Sequence, residues 1–100
     1  MYEIRLTTTF EEWLDSLADM RAKQKIAQRL LRLQSGLFGD VKPIGQGLSE
    51  MRIDYGPGYR IYFVKAGSAI LVILCGGDKS TQQRDIDRAK EIAFRLGDKS

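Results

Sequence analysis

Histidine is absent from this chain of 100 residues, and cysteine occurs once, at Cys75. Without an imidazole, Ser-His-Asp and Cys-His catalysis are excluded. The donor set for a structural zinc or copper site is missing too. A single cysteine forms no intrachain disulfide. Cys75 sits in an apolar run and reads as a small buried hydrophobe. Long hydrophobic runs are also lacking: the longest is Ala69 to Cys75, far below the ~20 residues that span a bilayer. The start, Met1-Tyr2-Glu3-Ile4-Arg5, has no signal-peptide core. These absences predict a cytoplasmic protein with no membrane partner, and they call for no metal and no small-molecule cofactor. The length suits one domain, residues 1–100.

What is present is a 43% hydrophobic content, enough for a core, and a formal charge of +3. The charge is unevenly placed. From Arg21 to Arg32 there are five basic residues, Arg21, Lys23, Lys25, Arg29 and Arg32, and no acid. Such a stretch suits phosphate or an acidic protein surface. It also suits a plain solvated helix face.

Hydrophobic spacing orders the elements. Tyr2 to Leu6 alternates as a short strand. Thr9-Phe10-Glu11-Glu12 has the form of a capping box, with Thr9 as N-cap. Phe10, Trp13, Leu14 and Leu17 then share one helix face. The phase breaks at Ala18 to Met20. A second helix carries Ile26, Leu30 and Leu33 inward, with its basic residues outward, and stops near Gly36. Phe38 to Gly47, with its glycines and Pro43, reads as a loop. The period then becomes two through Met51, Ile53 and Tyr55, and again through Tyr59, Ile61 and Phe63, around a Gly56-Pro57-Gly58 turn. Ala69 to Cys75 is apolar throughout, as in a strand buried on both faces. Ser80 to Leu96 reads as a third helix with a possible Ser80/Gln83 capping box. The expectation is an α+β fold of order β-α-α-β-β-β-α, an antiparallel meander with helices packed on one face.

A symmetric turn at Gly56-Pro57-Gly58 places Asp54 opposite Arg60 and Arg52 opposite Tyr62. Glu50, Arg52, Asp54, Arg60 and Tyr62 then share a charged sheet face, which needs no further explanation than cross-strand pairing. The same residues could hold a phosphodiester and stack a base. Lys79, just before a helix start, extends this patch. Besides a tyrosine it is the one group there able to move a proton, because arginine is a poor shuttle. Gly76-Gly77-Asp78-Lys79-Ser80-Thr81 lacks the first glycine of a P-loop, so nucleotide binding is rejected. Ser80 and Thr81 read better as helix caps.

The stretch from Gly47 through Tyr55-Gly-Pro-Gly-Tyr-Arg60 to Phe63, with Leu74-Cys-Gly-Gly-Asp-Lys-Ser-Thr81 and Asp85-Ile-Asp-Arg-Ala-Lys90, resembles the "addiction module killer protein" group of the RelE/ParE/HigB type II toxin superfamily. Phe10-Glu-Glu-Trp-Leu14 and Gly39-Asp-Val-Lys-Pro43 fit the same group. The resemblance covers nearly the whole chain. It implies a RelE-like fold and a growth-inhibiting toxin paired with a helix-turn-helix antitoxin. Its further partners would be the ribosome and mRNA, cut by attack of a ribose 2′-OH on the adjacent phosphate. Carried over by position, Arg60 is the arginine after the hairpin's Gly-Tyr. Arg52 falls where RelE-like sequences have a lysine, and Lys79 lies near a basic residue after the last strand. Asp54 stands where many members have another basic residue. The C-terminal tyrosine or histidine of several members has no counterpart. On this basis Arg60 and Arg52 would bind the scissile phosphate, Lys79 would act as acid or charge stabiliser, and Tyr62 would stack a base or hold the nucleophile. The Arg21–Arg32 stretch would contact RNA. The resemblance leaves two other outcomes: a ParE-like gyrase-inhibiting toxin without nuclease activity, and an inactive member that only binds antitoxin or RNA.

Overall fold

The fold of residues 1–98, taken from a computed structural model, is a five-stranded sheet with three helices. The chain starts in β1 (Glu3–Leu6) and passes into α1 (Thr8–Ser16) and α2 (Met20–Gln34). It then runs through β2 (Val41–Gly45), β3 (Leu48–Ile53), β4 (Tyr59–Ala66) and β5 (Ile70–Asp78). A 3-10 turn (Lys79–Thr81) leads into α3 (Gln82–Asp98). Strand order is β1-β5-β4-β3-β2.

Two features correct the expected topology. The sheet is mixed, not a pure antiparallel meander: β1 runs parallel to β5, with Glu3 beside Ile70 and Leu6 beside Ile73. The apolar β5 is buried on both faces and needs a hydrogen-bonding neighbour on each edge, and β1 supplies the second. The order also gains a strand, because part of the expected Phe38–Gly47 loop is β2, paired antiparallel with β3. Pro43 suggested a loop, but β2 is an edge strand, where a missing N–H costs little.

The helices cover both faces of the sheet, which corrects the expectation of one. Phe10, Ala22, Ile26 and Leu33 from α1 and α2 pack on Met51, Ile53, Ile61, Phe63, Leu71 and Ile73. On the other face α3 brings Ala89, Ile86 and Ile92 onto Leu48, Tyr62, Leu74 and Cys75. A bulge between Tyr62 and Phe63 in the β4–β5 pairing lets Leu74 and Cys75 both join the α3 side.

The helix caps lie elsewhere than the sequence suggested. Thr7, not Thr9, caps α1, its hydroxyl accepting from the Phe10 N–H at 3.0 Å. Asp19 caps α2 through the N–H groups of Arg21 (2.9 Å) and Ala22 (3.2 Å). Asp78 caps the 3-10 turn, accepting from the Ser80 N–H at 2.8 Å. The Ser80/Gln83 capping box does not form.

Gly76 and Gly77 set the closeness of both helices to β5. A Cβ on Gly76 would clash with the Trp13 ring, and one on Gly77 would clash with an Asp85 carboxylate oxygen. Only glycine admits α1 on one side and α3 on the other at this depth.

Candidate active site

The first turn of α3 covers only part of its sheet face. Under it, Glu50 is buried and accepts from Gln82 Nε2 at 2.8 Å. Beyond it, towards the 54–58 turn, the face is uncovered, and there Arg52, Arg60 and Lys79 line one groove with Asp40, Asp54, Ile53 and Gly58. Its volume is about 360 Å³.

The pairing at this groove differs from that of a symmetric turn. Ile53 pairs with Tyr59, so residues 54–58 all lie in the turn, and Arg52 stands directly opposite Arg60. Asp54 does not face Arg60, and Arg52 does not face Tyr62; Glu50 does. Like charges directly opposite one another destabilise a sheet. Asp40 relieves part of this strain. Its Oδ1 accepts from Arg52 Nε (3.1 Å) and Nη2 (2.7 Å), and this contact raises the Arg52 pKa. Arg60 has no such counterion among the described residues, and its Nε is buried without a hydrogen-bond partner. Lys79 is exposed at the mouth, its Cβ close to where a Cβ on Gly58 would lie (3.5 Å). A half-buried guanidinium without a partner, a second one across from it and an ammonium at the rim together form an anion site.

The structure therefore brings together three of the four residues expected to do chemistry. Tyr62 is the exception. It is wholly buried beneath α3, its hydroxyl has no hydrogen-bond partner, and burial, followed by the charge of Glu50, raises its pKa. It cannot stack a base on the surface. Alternation along β4 placed it correctly on the face shared with Arg60, but the cover of α3 changed that face from solvent to core.

The basic stretch of α2 is split in a similar way. Arg21, Lys25 and Arg32 are exposed, and Lys25 lies 5.2 Å from the Tyr55 ring centre. Lys23 is half-buried and reaches the Asp15 carbonyl at 3.4 Å. Arg29 does not face outward. It donates to the Arg52 carbonyl at 2.7 Å and the Phe38 carbonyl at 3.3 Å, and burial lowers its pKa. It fastens α2 to the strand that carries Arg52.

The sequence reading passed over Asp40. Its role depends on a contact twelve residues along the chain, which no local pattern signals. Tyr55 was also missed as a fastening group: its hydroxyl donates to Asp19 Oδ2 at 2.8 Å, tying the 54–58 turn to the α2 cap.

Residues 12–96 match the family described as "Phage derived protein Gp49-like (DUF891)". The chain belongs to this Gp49-like family. A relative from Haemophilus influenzae, described as an "Uncharacterized protein", is 50% identical over 95 residues, spanning 95% of this chain and 96% of its own. The Gp49-like chain is also similar in fold to a chain in the crystal structure of the toxin–antitoxin complex RelBE2 from Mycobacterium tuberculosis. The TM-score is 0.63 at 23% identity, covering 78% of this chain and 98% of that one. The expected RelE-like α+β architecture is thus present, in its mixed-sheet form.

Proposed function

We propose that this Gp49-like protein is the toxin of a type II toxin–antitoxin pair, and that it cleaves mRNA on the ribosome without a metal. The observation that carries the reading is Arg60, a half-buried guanidinium with no counterion among the described residues, directly across from Arg52 in a groove whose rim holds Lys79. A fold that places like charges opposite one another gives up stability, and the local rule it breaks marks a site for an anion. A phosphodiester fits: two guanidiniums take its non-bridging oxygens and share the charge that grows in the transition state. Lys79 protonates or stabilises the leaving oxygen. Exposed Arg21, Lys25 and Arg32 on α2 add contacts to RNA phosphates, with a salt-dependent affinity. The likeness to a chain of a toxin–antitoxin complex supports an antitoxin partner, as does the helix-turn-helix antitoxin implied by the sequence resemblance.

The test is a single-turnover cleavage assay on ribosomes programmed with a defined mRNA. Wild type cuts, and Arg60→Ala slows cleavage about 10²–10³-fold. Intact mRNA with wild type, or full activity of Arg60→Ala, refutes the reading.

A ParE-like gyrase poison is the second reading. The acidic residues Asp40 and Asp54 in the groove favour it, since they weaken its attraction for RNA. A supercoiling assay separates the two: gyrase inhibition with mRNA left whole selects the second.

A further inference from the structure

Cleavage by a ribose 2′-OH requires a group that takes its proton, and that group needs a free lone pair within hydrogen-bond reach. There is no histidine to supply it. Arginine and lysine as cations have no acceptor. The tyrosines near the groove are committed: Tyr55 donates to Asp19, Tyr59 is 8% exposed in the α1–α2 core, and Tyr62 is buried under α3. Among the carboxylates, Glu50 is 1% exposed and held by Gln82. Asp78 Oδ1 caps the 3-10 turn, accepting from both the N–H and the hydroxyl of Ser80. Asp40, the other carboxylate of the groove, is the counterion of Arg52, its Oδ1 accepting two N–H bonds. One carboxylate of the groove is tied to no other side chain among the described residues. Asp54 is exposed, lines the groove with Arg52, Arg60 and Lys79, and has no side-chain hydrogen bond or ion pair among the described residues. It follows β3 directly, at the start of the 54–58 turn and two residues beyond Arg52.

We propose that Asp54 is the general base of the reaction. The proposal rests on the nuclease reading above. The Asp54 carboxylate takes the 2′-OH proton as the O2′–P bond forms. The P–O5′ bond breaks, and the leaving O5′ takes a proton from the Lys79 ammonium. Arg52 and Arg60 hold the non-bridging oxygens throughout. The products are a 2′,3′-cyclic phosphate and a 5′-hydroxyl. Water then returns Asp54 and Lys79 to their starting protonation states, so no co-reactant is needed. Asp54 thereby has two effects on RNA: it weakens binding by one negative charge and supplies the base.

The experiment compares Asp54→Asn, Lys79→Ala and Arg60→Ala on programmed ribosomes, measuring single-turnover cleavage and RNA binding at fixed salt. Asp54→Asn lowers the cleavage rate about 10²–10⁴-fold. Its RNA binding is unchanged or tighter, because the groove loses a negative charge. A substrate with sulfur in place of the leaving O5′ needs no acid. It restores Lys79→Ala and does not restore Asp54→Asn. Cleavage by Asp54→Asn within about threefold of wild type, with Arg60→Ala inactive, overturns the base assignment and leaves the nuclease reading standing. Restoration of Asp54→Asn by the sulfur substrate also overturns it, because Asp54 would then serve the leaving group. No cleavage by wild type refutes both.

Discussion

Gly77 and Tyr62 show how much a single side chain's neighbours decide. Gly77 lies where any Cβ meets the Asp85 carboxylate, which is itself held by the Thr81 hydroxyl. Gly77→Ala must push α3 away from β5, and we expect a loss of about 1–3 kcal/mol, read by denaturant unfolding. The change also displaces the 3-10 turn that carries Lys79, so cleavage should fall with stability. Tyr62 gives the opposite expectation. Its hydroxyl is buried without a partner, so Tyr62→Phe removes an unmet polar group rather than a contact. Stability should stay within about 1 kcal/mol of wild type or rise, and cleavage should persist. A loss of cleavage in a fully folded Tyr62→Phe protein would restore the catalytic role that the sequence resemblance implied for this residue.

At the scale of elements, α2 has two kinds of basic residue that look alike in sequence. Arg29 bonds two backbone carbonyls, one on β3 and one in the segment before β2. Arg32 is exposed in the last turn, where a cation suits the helix dipole. Arg29→Ala should cost about 1 kcal/mol or more, since two hydrogen bonds from a charged donor, to the Arg52 and Phe38 carbonyls, are lost. Arg32→Ala should stay within about 0.5 kcal/mol. In RNA binding the order reverses: Arg32→Ala weakens affinity and flattens its salt dependence, while Arg29→Ala acts only through the position of Arg52. Thermal melts and salt titrations of the two variants separate these roles. The 54–58 turn follows the same logic, because its aim over the groove depends on the Tyr55–Asp19 bond to another element.

For the molecule as a whole, stability should fall at both ends of the pH scale. Asp19 and Asp78 have lowered pKa values, Asp19 through its bond from Tyr55 and Asp78 through its bond from the Ser80 side chain. A carboxyl whose folded pKa lies below its unfolded value adds stability above about pH 4, and that stability is lost as pH falls through the folded value. Cys75 behaves in the other direction. Burial pushes its thiol up to about 12. The folded protein keeps this proton where the unfolded chain loses it, so stability declines as pH rises from about 8.5. A Cys75→Ala variant should show a shallower alkaline decline in melts from pH 3 to 10. The native thiol should also resist alkylating reagents at neutral pH.

Local pattern was enough for a good part of this. The helix stripes of Phe10, Trp13, Leu14 and Leu17, and of Ile26, Leu30 and Leu33, follow from residue spacing, and all join the core. Alternation put Arg52 and Arg60 on one face, and the Gly-Gly-Asp-Lys string placed Lys79 near them. These are properties of period and composition, which the sequence holds in itself. Whether β1 pairs with β5, whether Pro43 sits in an edge strand, and whether α3 covers Tyr62 are decided by contacts between segments far apart in the chain. The same is true of the pairing of Arg52 with Asp40 and of the lack of a counterion for Arg60 among the described residues. The sequence by itself determined which side chains could meet an anion. Only the tertiary structure decided which of them remain in solvent, because burial and counterions depend on what packs above a face, and no local period encodes that.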